Sequence, residues 1–204
     1  MSASDLTEHR RFYRIHDRVG LEYRRLDPDA VPPSAATCFD GSVTLTLQEE
    51  LRKADLAIRA QLNVLAESDR RLVQVLTLMN QKLDTLARIM AFQQKPLQDD
   101  QWQEVTLSEG GLAFHCTDDT LRSGDTVALR LTLAPELNQV ALIARVIDRV
   151  SPVPQQGEPS PDSDRGAFIH LQFRDLDDDS RQQIARHVLR LQARQRQQRR
   201  NDRA

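Results

Sequence analysis

The sequence predicts an α+β protein, a small antiparallel β-barrel that carries a long helical insertion and ends in a C-terminal helix. Three observations carry this prediction. After Trp102 the chain passes through short alternating strands separated by turn residues, with no helical pattern between them. Before that point Leu51, Ile58, Leu65, Leu72, Met79 and Leu86 recur at steps of seven, with Leu62, Leu76, Leu83 and Met90 forming a second, offset series. At the end Ile184, Val188 and Leu191 make a helical stripe behind Asp177, Asp178 and Asp179, which suit the positive end of a helix dipole.

A chain of 204 residues has room for one ordinary domain and an elaboration. Its net charge of −2 gives no whole-chain steering toward nucleic acid or an anionic membrane. Cys38 and Cys116 lack the paired spacing of a zinc or redox motif and read as free thiols in a reducing compartment. No apolar run reaches the length of a membrane span, and the opening MSASDLTEHRR lacks a signal-peptide core, so the expected location is the cytoplasm.

In order, residues 1–25 are an N-terminal basic arm, with Arg10, Arg11 and Arg14, running into a first strand marked by the alternation of Val19, Leu21 and Tyr23. Residues 26–45, with Pro28, Pro32 and Pro33, read as a linker. Residues 46–95 read as a heptad-repeat oligomerisation helix, opened by a Thr46–Glu49 capping box and stopped by Pro96. As one continuous coiled-coil helix of roughly 48 residues it would span about 70 Å, too long for a small domain, so it must pair or protrude.

Asp55 and Asp69 fall on the apolar seam, where buried carboxylates would set register against Arg59, Arg70 or Arg71 of a neighbouring helix. Val73, Val75 and Ile89 widen the apolar face beyond a two-stranded seam. That width predicts either more than two associated helices or packing of this half on the globular part.

Residues 102–180 supply the remaining strands, at Trp102 to Leu107, Leu112 to Cys116, Val127 to Leu133, Val140 to Ile147 and Ala167 to Phe173, with a loop from Ser151 to Gly166. Residues 181–204 are the C-terminal helix and an Arg/Gln-rich tail. The tail reads as a solvated helix end, and no specific nucleic acid is expected as a partner.

With this order in place, two motifs stand out. Arg10 and Arg14 form an R-x-x-x-R arm before a strand, and Ser108 and Gly111 occupy a [D/N]-x-S-x-x-G turn whose first position is Thr106. The chain resembles a PilZ domain over residues 8–25 and 102–192. The heptad insertion between the two motifs is similar to that of the atypical, tetramer-forming branch of the family. The resemblance implies a bacterial receptor for cyclic di-GMP, a homotetramer held by the inserted helix, and an unidentified protein partner in motility, pilus or virulence control. It implies Arg10, Arg11, Arg14, Thr106, Ser108 and Gly111 as ligand-binding residues, and no cofactor besides the nucleotide. The alternative is a degenerate scaffold that no longer binds nucleotide and serves as an oligomeric adaptor.

The residue chemistry suits such a ligand. Guanidinium groups meet phosphate, or the adjacent acceptors of a guanine edge, with paired hydrogen bonds. Ser108 can donate at a tight turn, while Gly110 and Gly111 permit positive φ and close ligand approach. Thr106 offers a neutral acceptor where a carboxylate would offer a charged one, a difference of roughly tenfold in affinity. His115 and Cys116, adjacent on a strand, point to opposite faces. Metal-ligand spacings, nucleophile motifs and phosphate-cradling loops are not found, so an enzyme is not expected.

Overall fold

A computed structural model describes residues 13–27, 34–39, 42–150, 166–174 and 176–201. Six strands, β1 (Ile15–Leu26), β2 (Trp102–Ser108), β3 (Gly111–Cys116), β4 (Thr126–Leu133), β5 (Asn138–Val150) and β6 (Ala167–Arg174), close an antiparallel barrel in the order β1-β2-β3-β6-β5-β4. The first strand extends to Ile15, well before the clear alternation begins. Its first half pairs with β2 from Ile15 to Gly20, and its second half with β4 from Gly20 to Leu26. Gly20 is therefore the corner at which the barrel closes. A Cβ there would collide with the Leu97 side chain, which lies across the strand.

Alternation places Val127, Leu129, Leu131 and Leu133 of β4 in the core beside Val19, Leu21, Leu107, Phe114 and Ile169. The outward set, Ala128, Arg130 and Thr132, is buried as well. A 3-10 turn at Ala35–Cys38 covers this wall, so part of the expected linker is structured. Arg130 donates two parallel hydrogen bonds to Glu22, at 2.6 and 2.8 Å, and the Phe39 ring sits 5.0 Å from its guanidinium. Pairing and cation–π contact offset the cost of burying that charge.

Helix α3 (Asp178–Asn201) covers one end of the barrel through Ile184 and Val188, with Leu191 partly buried at its side. Buried His187 meets Asp17 of β1 at 2.7 Å. The aspartates do sit at its N-terminus. Asp177 accepts from the backbone N–H of Ser180 at 2.9 Å. Burial alone would raise the Asp177 carboxyl pKa, but hydrogen bonds from Ser180, joined by the backbone of Asp179 and of Asp177 itself, outweigh it and hold the group below its ordinary value.

The insertion departs from the expectation of one continuous helix. It forms α1 (Ser42–Leu65) and α2 (Arg70–Gln94), separated at Ala66 to Asp69. Thr46 accordingly lies inside α1 and does not cap it. Asp69 is an N-cap and not a seam carboxylate, its Oδ1 accepting from Arg71 N and Leu72 N at 3.0 Å each. The local satisfaction of two helix-terminal N–H groups outweighs the heptad rhythm that runs through the break.

The apolar stripe itself survives. No residue of α2 is buried, and Leu51, Ile58, Leu72, Leu76, Met79, Leu83, Leu86 and Met90 are all exposed, Leu83 and Met90 at 62%. Leu62 and Leu65, next to the break, are half-buried. Val75, Leu78 and Ile89 are exposed too and broaden the stripe. Near its end, α2 reaches the barrel. Arg88 donates to the Glu136 carbonyl at 3.1 Å, and Phe92 meets Trp102 edge-on with ring centroids 6.3 Å apart. Glu136, in the β4–β5 turn, also pairs with Arg190 of α3. Among the described residues no helix is long and apolar enough to cross a membrane.

Candidate ligand-binding site

The barrel brings Arg14, the last residue of the first motif, to the second motif. In the β1–β2 register Ile15 faces Leu107 and His16 faces Thr106. One further step places Arg14 at the level of Ser108, so the arm leaves β1 beside the Ser108–Gly111 turn. Arg14 is exposed there. Arg10 and Arg11 lie outside the described residues.

The turn is built for tightness. Ser108 Oγ donates to the Gly111 carbonyl at 3.2 Å, and the Gly110 carbonyl accepts from Phe173 N of β6 at 3.0 Å. Neither glycine has positive φ, contrary to the expectation; the positive-φ glycines among the described residues are Gly124 and Gly166. Gly111 is needed for proximity instead. A Cβ on it would strike the Leu171 carbonyl of β6, so the β3–β6 seam closes only with glycine at this point.

Thr106 points outward and is half-buried, and its Oγ1 lies 3.2 Å from Nδ1 of exposed His16. This contact had no sequence signal, because the partners are ninety residues apart and a lone histidine carries no motif. The same outward rung continues through Ala113 of β3 to His170 of β6. Beside it His115 and Phe168 meet at a tilt of 57° with centroids 4.9 Å apart, and Phe168 meets His170 edge-on at 5.0 Å. The outer wall thus offers a guanidinium, two hydroxyls, three imidazoles and a flat aromatic ring. These groups suit an anionic ligand bearing planar bases.

Cys116, next to His115 in sequence, stays apart from this wall. As alternation requires, His115 is exposed while Cys116 is buried inside the barrel. Cys116 Sγ lies 3.1 Å from the Tyr23 hydroxyl, and burial, with Cys116 adding, pushes that hydroxyl pKa well up. Among the described residues no group of three His, Cys, Asp or Glu side chains could hold a metal ion.

A family model described as PilZ domain matches residues 87–190 of this chain. Among solved structures, a pathogenic protein from Xanthomonas campestris, a tetrameric PilZ domain self-assembled through a helical bundle, superposes with a TM-score of 0.53 at 19% identity. The match covers 91% of each chain. The PilZ domain of YcgR from Escherichia coli, solved with cyclic di-GMP, gives a TM-score of 0.35 at 14% identity, over 50% of this chain and 81% of that one. No curated protein sequence matches.

Proposed function

Since this chain belongs to the PilZ domain family, we propose that it is an oligomeric receptor that binds cyclic di-GMP on the outer barrel wall and relays occupancy to a protein partner. The observation that supports this reading is the β1–β2 register, which brings Arg14 to the level of the Ser108–Gly111 turn although roughly ninety residues separate them in sequence. Arg10, Arg11 and Arg14 clamp phosphates and guanine edges, and Thr106, Ser108 and Gly111 form the receiving wall. The protein acts by binding, without catalysis, in the cytoplasm. Ordering of the arm over the barrel by the ligand is the change a partner reads.

Self-association is part of the same reading. The exposed stripes of α1 and α2 are contiguous apolar faces of the kind that mark interaction surfaces. A tetramer is favoured, because the arc from Leu78 to Leu76 is wider than a two-stranded seam and because the structurally similar Xanthomonas protein is tetrameric.

Titration calorimetry with cyclic di-GMP tests the receptor reading. Binding weakened at least tenfold by Arg14→Ala supports it, and an absence of heat with the wild-type protein overturns it. One observation favours the adaptor reading. The acidic or amide position of the motif holds Thr106, and its hydroxyl already meets His16. Binding created by Thr106→Asp in a protein that otherwise shows none would establish the degenerate scaffold.

A further inference from the structure

A threonine hydroxyl is ambiguous as a recognition element, because it rotates freely and both donates and accepts. In this chain a neighbour can remove the ambiguity, according to the tautomer of its ring. His16 faces Thr106 directly across the β1–β2 ladder, and its Nδ1 lies 3.2 Å from Thr106 Oγ1. In a neutral imidazole with its proton on Nε2, Nδ1 is an acceptor and takes the threonine proton. Oγ1 is then left with lone pairs alone to offer a ligand. It becomes, like the carboxylate or amide oxygen it replaces, an acceptor of fixed polarity.

We propose that His16 is a specificity-determining residue, which locks the Thr106 hydroxyl as an acceptor and so makes the site select guanine over adenine. This rests on the reading of the wall as a cyclic dinucleotide site. Guanine carries N1–H and an exocyclic N2 amine on its Watson–Crick edge, both donors. Adenine presents the N1 lone pair at the corresponding place. A locked acceptor meets the first with a hydrogen bond and the second with lone-pair repulsion. A free hydroxyl could turn and donate to adenine N1, accommodating both. His16 acts through Thr106, and it is exposed, so replacing it leaves the barrel core untouched.

The charged groups on the same outward face of β1 and β2 are Arg14 and Arg18, two residues to either side on β1, and Glu104, which faces Arg18 on β2, while Asp148 of β5 faces His170 further along the rung. Arg18 and Glu104 act on a cyclic dinucleotide through charge, while Arg14 meets phosphate or the O6/N7 edge of guanine. The Watson–Crick edge is left to groups of fixed polarity, and the Thr106–His16 pair is positioned by the ladder beside the motif turn to meet it.

The decisive measurement is calorimetric affinity for cyclic di-GMP and cyclic di-AMP, with the intact protein and the variants His16→Phe, His16→Asn and Thr106→Val. His16→Phe keeps a ring but removes Nδ1, so the preference for guanine should fall about tenfold, mostly by a gain for the adenine ligand. His16→Asn places an amide oxygen near the position of Nδ1 and should restore much of the preference. In a Thr106→Val background His16→Phe should change nothing further. If the wild type binds and prefers guanine while His16→Phe leaves the ratio unchanged, the role assigned to His16 is overturned and the receptor reading stands. If the wild type binds neither ligand, both fall.

Discussion

The barrel and the helices α1 and α2 treat their apolar residues in opposite ways. In the barrel Val19, Leu107, Phe114, Leu129 and Ile169 are fully buried by the chain's own strands, and closure leaves no unpaired edge. In α2 nothing is buried, and the residues that recur by heptads stand open. In the proposed oligomer the barrel's stability is intramolecular and independent of concentration, whereas that of the helices, covered by another copy, follows mass action.

Charging the stripe should have the largest effect. The double variant Leu76→Glu, Leu83→Glu places carboxylates where a partner helix would pack, and a buried unpaired charge is costly enough to prevent association. Light scattering should show the mass fall from oligomer to monomer at micromolar concentration. Far-ultraviolet circular dichroism should lose helix signal, since isolated helices of this length are marginal in water. The barrel should keep its own unfolding transition. A wild-type protein that is itself monomeric would break the comparison.

The converse change tests the other side. Phe114 is fully buried between β2 and β6 and touches Tyr23, with ring centroids 5.7 Å apart. Phe114→Ala should cost about 3–5 kcal/mol in denaturant unfolding through lost transfer energy and a cavity. That loss should be the same at every protein concentration. A loss that shrinks on concentrating the protein would mean that assembly supports the barrel as well.

The barrel was legible in the sequence because one-sided burial forces alternation, as from Val127 to Leu133, and because turns such as Ser123-Gly124-Asp125 interrupt it. The first half of β1 was less legible. Ile15 to Arg18 acquires its strand character from a partner far along the chain. The motif residues could be found by type and spacing, but the contact of His16 with Thr106 depends on register, which no local pattern states. The 3-10 turn at Ala35–Cys38 was hidden for a similar reason, since Phe39 matters only once Arg130 and Glu22 lie beneath it. The break between α1 and α2 was masked by the heptad itself. Leu65 and Leu72 keep the step of seven across it, and no glycine or proline marks the spot.

Asp69 gives the smallest and most discriminating test, because its two readings predict opposite signs. A carboxylate buried on the seam of an assembled coil destabilises unless paired, so Asp69→Leu would stabilise the oligomer and Asp69→Asn would gain little. An N-cap carboxylate holds the Arg71 and Leu72 N–H groups, so Asp69→Leu should cost about 1 kcal/mol, while Asp69→Asn, an equally good cap, should be nearly neutral. Thermal unfolding of the assembled protein separates the two outcomes. A rise in Tm for Asp69→Leu would return this residue to the seam and rejoin the helices. A fall for leucine with no change for asparagine would establish that α1 and α2 are two separately capped helices sharing one heptad rhythm.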